Sequence, residues 1–72
     1  MLTRQRITFE QNADLQNVWD VMDNNRLAGS LIYDPEISEY TFTLQATREC
    51  LIFPSEYTFH AVKIYLCNFL SR

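Results

Sequence analysis

The alternation of apolar and polar residues is clearest in "YTFTLQA". Tyr40, Phe42, Leu44 and Ala46 point one way, and Thr41, Thr43 and Gln45 the other. A period of two is the mark of a strand packed on one face and wet on the other, as in an antiparallel sheet. "RITFEQ" repeats the pattern with Ile7 and Phe9 against Thr8 and Glu10, and predicts a first strand. "GSLIYD" reads as a strand closed by Asp34-Pro35, a common turn opener, and "CLIF" as a short apolar run with a last edge strand as one option.

The stretch "NVWDVMDNNRLAGSLIYDPE" admits two readings. On a helix, Leu15, Val18, Trp19 and Met22 share one stripe with Asp14 as a cap. That helix would carry Asp20 and Asp23 near its C-terminal end, where the dipole disfavours anions. In a hairpin, Asn24-Asn25 occupy the two central positions of a type I′ turn, whose positive φ angles asparagine tolerates. Asp23 then faces Arg26 and Met22 faces Leu27; continuing that register sets Val21 against Ala28 and Trp19 against Ser30. Gly29 falls opposite Asp20, where a bulge or a close backbone approach is available. The hairpin is the favoured reading.

The segment from Pro54 to Arg72 predicts a helix, with Ser55 as N-cap and Glu56 in its first turn. Phe59, Val62, Leu66, Phe69 and Leu70 span about 100° of its circumference and should lie on the sheet. Glu56, His60, Lys63 and Cys67 form a narrow stripe for solvent, and Tyr57, Ala61, Ile64 and Asn68, with Tyr65 on the border, form a third face. One sheet needs one apolar stripe, so the third face calls for cover by a loop or another chain. The loops "QNADLQN" and "DPEISE" are short and polar.

The fold expected is a single α+β domain over residues 1–72: an antiparallel sheet of three to four strands packed against one long C-terminal helix. The runner-up is β-α-β-β-α, if residues 14–23 are helical. This order of elements is generic for small bacterial or phage domains and points to no named family.

Composition narrows the function. A chain of 72 residues that is 47% apolar, with one Trp, four Tyr and five Phe, has ample material for a small core. A net charge of −3 lacks the basic footprint that phosphate contacts need. "MLTRQRITFEQ" holds no apolar run of a secretory signal's length, and nothing approaches the roughly 18 consecutive apolar residues of a membrane span. Two cysteines without a CxxC fit reduced thiols in the cytoplasm, with a Cys50–Cys67 bridge as the other option.

The chemistry-bearing residues are few. Glu56 and His60 stand at i, i+4 with Cys67 further along, but zinc asks for three or four ligands and the chain has one His. His60 and Cys67 lie about 10 Å apart along a helix axis, beyond the hydrogen bond that activates a nucleophile. The acid pairs Asp20/Asp23 and Glu36/Glu39 read as turn and loop charges. One glycine excludes the glycine-rich phosphate loops. Trp19 reads as a core anchor before a binding hot spot.

These readings lead to a non-enzymatic interaction module with no catalytic residue, metal, cofactor or small-molecule substrate. It would bind a protein partner or a second copy of itself, as a homodimer, through Tyr57, Ala61, Ile64, Tyr65 and Asn68. A small regulator or inhibitor belongs to this class. The alternative is a nucleic-acid-associated domain using Arg4, Arg6 and the sheet aromatics Tyr33, Tyr40 and Phe42.

Overall fold

The computed structural model describes residues 6–71. It contains five strands and one helix: β1 (Ile7–Gln11), β2 (Val18–Asp23), β3 (Arg26–Asp34), β4 (Glu39–Leu44), β5 (Cys50–Phe53) and α1 (Phe59–Leu70). The strands form one antiparallel sheet in the order β1-β2-β3-β4-β5, each paired with its neighbour in sequence. The class is the expected α+β. The strand count of three to four is corrected to five, because "CLIF" pairs along its whole length, Cys50 with Thr43 through Phe53 with Tyr40.

The hairpin holds, and the β-α-β-β-α runner-up does not. Asn24 and Asn25 take φ values of 52° and 70°, joining β2 to β3 through a two-residue turn. Asp23 faces Arg26 and Met22 faces Leu27 as the turn dictates. Beyond them the register shifts: Val21 pairs with Gly29, Asp20 with Ser30 and Trp19 with Leu31. The expected pairs Val21–Ala28 and Trp19–Ser30 are therefore off by one residue. Ala28 is the extra residue of a bulge, and Gly29 explains its position. A Cβ on Gly29 would meet the Thr43 carbonyl and lie 2.6 and 2.7 Å from two atoms of the Phe42 ring. The bulge delivers the one residue without a side chain to the spot where that ring lies on the backbone.

The other turns use the same local chemistry. The Asn12 side chain accepts from the N–H groups of Asp14 and Leu15, and Asp34 accepts from Glu36. Ser38 and Arg48 adopt positive φ at the ends of the β3–β4 and β4–β5 turns.

One side of the sheet is covered by α1. Ile7, Val21, Leu31, Phe42 and Phe53 meet Val62 and Leu66 in a core with no buried polar side chain. Each such side chain, fully buried, is worth about 1.5–3 kcal/mol. The helix starts later than the sequence suggests. Pro54 to Tyr57 form a turn closed by the Tyr57 N–H on the Pro54 carbonyl, and Thr58, not Ser55, caps α1 by accepting from Ala61. Glu56 and Tyr57 consequently lie outside the helix. Cys67, assigned to the solvent stripe, is half-buried against the core, as is Leu70. Cys50 shares the open side of the sheet with Ile52, while Cys67 rides on the helix across the other side, so the sheet separates the two thiols. No helix among the described residues is long and apolar enough to cross a membrane.

Arg6 fixes the far end of the helix. Its guanidinium donates to both Asp23 carboxylate oxygens, at 2.6 and 3.2 Å, and to the Leu70 carbonyl at 2.7 Å. One side chain thus ties β1, β2 and the C-terminal carbonyls of α1, which carry the negative end of the dipole and have no basic residue of their own in the last turn.

Candidate functional site

The helix sequence FHAVKIYLCNFL contains no acid, although the chain carries nine. The formal charge on the helix is therefore that of Lys63. Of the residues expected to dock, Ile64 is 50% exposed and Tyr65 44%; Ala61 is half-buried and Asn68 exposed. Tyr57, in the turn that precedes the helix, is 38% exposed.

The structure divides these residues between two flanks. Tyr57 and Tyr65 both direct a ring at Phe53, with centroids 5.5 and 5.2 Å away and near-perpendicular planes, and Tyr65 also stacks on Phe69 at 6.3 Å. They roof the end of β5 from above while each keeps one side in water. Ile64 and Asn68 lean to the opposite flank. There they line an open groove of about 510 Å³ between α1 and β1, with Ile7, Thr8, Phe9, His60 and Lys63. Ala61 sits between the flanks on the helix crest. The five residues form a continuous band over the helix, but its aromatic half rests on the chain's own β5.

At the start of the helix lies a cluster that the helical periodicity does not reveal. Phe59 packs on Trp19 at 4.8 Å, Tyr40 at 5.7 Å and Phe9 at 6.5 Å, and Tyr33 adds to Tyr40 at 4.6 Å. Lys63 holds its ammonium 4.9 Å from the Phe59 ring centre. Burial, with Tyr33 alongside, pushes the Tyr40 hydroxyl above its ordinary 10.0. Trp19 is thus a partly buried anchor of the core edge. Its cross-strand neighbours were readable only once the bulge was placed, since the unshifted register turns it away from Leu31.

The residues of the nucleic-acid alternative are placed as follows. Phe42 is fully buried, Tyr33 and Tyr40 belong to the cluster on the helix side of the sheet, and Arg6 is engaged by Asp23 and Leu70. Arg4 and Arg72 lie outside the described residues. No group of three or more His, Cys, Asp or Glu able to hold a metal ion occurs among the described residues.

The open side of the sheet carries a feature the sequence reading passed over. Ile32 (45% exposed) and Ile52 (62%) stand on either side of Thr41 in one cross-strand row that begins with Val18. The signal was available: strands paired to "YTFTLQA" must share its wet face through Thr41 and Thr43, and these isoleucines sit opposite Thr41. No protein-family model, curated protein or solved structure matches this chain.

Proposed function

We propose that this protein is a non-enzymatic interaction module that self-associates through the outer side of α1. The observation that carries the reading is the half-exposed, acid-free band of Ala61, Ile64, Tyr65 and Asn68 on the only helix described, continued by Tyr57 in the turn before it. A second copy is the occupant this band suits. The band's own five residues are uncharged, so a two-fold axis near Ile64 brings apolar and aromatic surface together, with Lys63 at the margin of the contact. Tyr57 and Tyr65, already braced by Phe53, would enter such a contact with little side-chain freedom left to lose. Docking of the same band on a different protein, as a small regulator or inhibitor does, follows the same physics.

Sedimentation velocity of the wild type and of Ile64→Glu tests it. The wild type should sediment above its 8.6 kDa monomer mass in a concentration-dependent way, and the variant as a monomer whose thermal melt equals that of the wild type diluted to its monomeric range. A monomeric wild type at about 100 μM, where a contact of only −5 to −6 kcal/mol would be seen, removes self-association.

A further inference from the structure

The second feature of this surface is not the helix but the strand beside it. β1 ends the sheet and, among the described residues, pairs on one side only. Its hydrogen-bonding parity is fixed by the bonds at the two ends of its ladder. Asn24 donates to the Arg6 carbonyl and Asn12 to the Val18 carbonyl, and both pairs obey the β1–β2 register. Hydrogen-bonded pairs alternate along an antiparallel ladder. The even-numbered residues of β1 therefore bond to β2, and Ile7, Phe9 and Gln11 turn their N–H and C=O groups outward. These groups have no partner among the described residues.

Apart from the exposed Glu10, β1 carries none of the devices that blunt an edge. The opposite edge, β5, is four residues long and runs directly into Pro54, the two devices that commonly blunt an edge. β1 has five residues, with no proline and no lysine. Alongside it runs the groove already described, whose helix wall supplies side-chain recognition. The direction of α1 follows from its ends: Phe59 meets Phe9, and the Leu70 carbonyl meets Arg6. Lys63, with its ammonium by Phe59, thus stands at the Phe9 end, beside His60. Ile64 lies further along, toward Ile7.

We propose that the free edge of β1 binds an extended, acidic segment of a partner protein as a sixth strand. On the helix side that strand would set an apolar residue against Ile64 and Ile7 and, two positions away, a carboxylate against Lys63 and His60. Lys63 makes no ion pair among the described residues, so its charge is available. The same charge decides against a second copy at this edge. Two β1 strands related by a two-fold axis would bring Lys63 of both helices into one groove, like charge on like. On the open side the added strand would lie next to Thr8 and Glu10, so its residues there should be neutral. The recognition mode is strand addition, in which backbone bonds give affinity and alternate side chains give selectivity. It does not rest on the helix–helix contact proposed above, and its test uses different positions.

The probe is the labelled peptide acetyl-Thr-Ile-Thr-Ile-Thr-Glu-Thr-amide, with a counterpart carrying Lys in place of Glu. Binding to the full chain is followed by fluorescence polarisation and by amide shifts of ¹⁵N-labelled protein at about 50 mM salt, where charge selectivity is little screened. The Glu peptide should bind about tenfold more tightly than the Lys peptide, and Lys63→Glu should invert that order. Peptides N-methylated on alternate residues should separate into one set that binds and one that does not, since only one set of N–H groups faces the edge. The amides of Ile7, Phe9 and Gln11 should shift. Equal binding of both methylated sets, no inversion by Lys63→Glu, shifts centred on β5, or no binding at about 1 mM peptide would each overturn the proposal. So would concentration-dependent protection of the β1 amides without peptide, which would make the occupant a second copy.

Discussion

The tightest point of the molecule is Gly29, and Gly29→Ala is the substitution on which the account of the fold is most exposed. Gly29 is buried in β3 between Val21 and Leu44, with the Phe42 ring laid over its Cα. A methyl group there would lie 2.6 and 2.7 Å from two ring atoms, against the 3.5–4.0 Å or so of an ordinary carbon–carbon contact. The ring is fully buried between the partners Leu31 and Leu51 and cannot swing aside without opening the core. Overpacking of this kind costs about 1–3 kcal/mol. The Thr43 carbonyl is closer still and belongs to the backbone, so β3 and β4 must also part, weakening a ladder hydrogen bond worth about 1 kcal/mol. The total is about 2–4 kcal/mol. A chain of 72 residues has about 4–11 kcal/mol of stability in all. The variant should therefore melt roughly 8–32 °C below the wild type by far-UV circular dichroism, using about 4–8 °C per kcal/mol for a small domain. Adding Phe42→Leu removes the ring contact and leaves the carbonyl contact. The double variant should recover at least about 1 kcal/mol relative to the sum of the two single changes. A Gly29→Ala protein melting within about 2 °C of the wild type would refute both the bulge at Ala28 and the register built on it.

Three further expectations concern other parts of the fold. Arg6→Gln loses the two-pronged pair with Asp23 and the bond to Leu70; since the pair is partly exposed, the loss should be about 1 kcal/mol by urea denaturation and should shrink in about 1 M salt. Asn25 sits at φ 70°, so Asn25→Gly should be neutral or stabilising by a few tenths of a kcal/mol, while Asn25→Val should cost at least about 1 kcal/mol in the same assay. Tyr40 holds its proton more firmly folded than unfolded, because burial disfavours the phenolate. Its contribution is complete below 10.0 and is lost as pH rises from there through the higher folded-state value, so stability should fall over that range and Tyr40→Phe should lessen the fall.

The legible and illegible parts of this chain differ in kind. Asn24-Asn25 announced the hairpin because a two-residue I′ turn asks for φ > 0 at both positions and few residues supply it. The same local signal could not announce the register beyond Met22, because that is set by Phe42, a residue 20 positions further on, needing room over a glycine. Thr58 took the cap from Ser55 for a similar reason: both are good caps, and Pro54 and Phe53 decide between them by where β5 ends and how the chain turns off it. "CLIF" is too short to be counted with assurance from its own residues; its neighbour β4 makes it a strand. In each case a short-range rule offered the option and a distant contact selected it.

The candidate site shows the same division. A helical wheel places Tyr57, Ala61, Ile64, Tyr65 and Asn68 on one face; in the structure Tyr57 precedes the helix, Ile64, Tyr65 and Asn68 are exposed and Ala61 is half-buried. A wheel has no sheet edges, however. It could not show that Phe53 stands beneath one flank to receive two tyrosine rings, nor that β1 ends beneath the other and leaves a groove. The count of surplus apolar residues consequently overstates the surface available to a partner, because part of each tyrosine roofs its own sheet. What remains without cover from its own chain narrows to Ile64 at the centre, with Ala61, Asn68 and the outer sides of the tyrosines around it. A contact of that size depends on its middle. This is why one carboxylate placed at Ile64 is a sharper probe of the helix than any change to Tyr57 or Tyr65, whose loss would also strip Phe53 of its roof and confuse an interface with a fold.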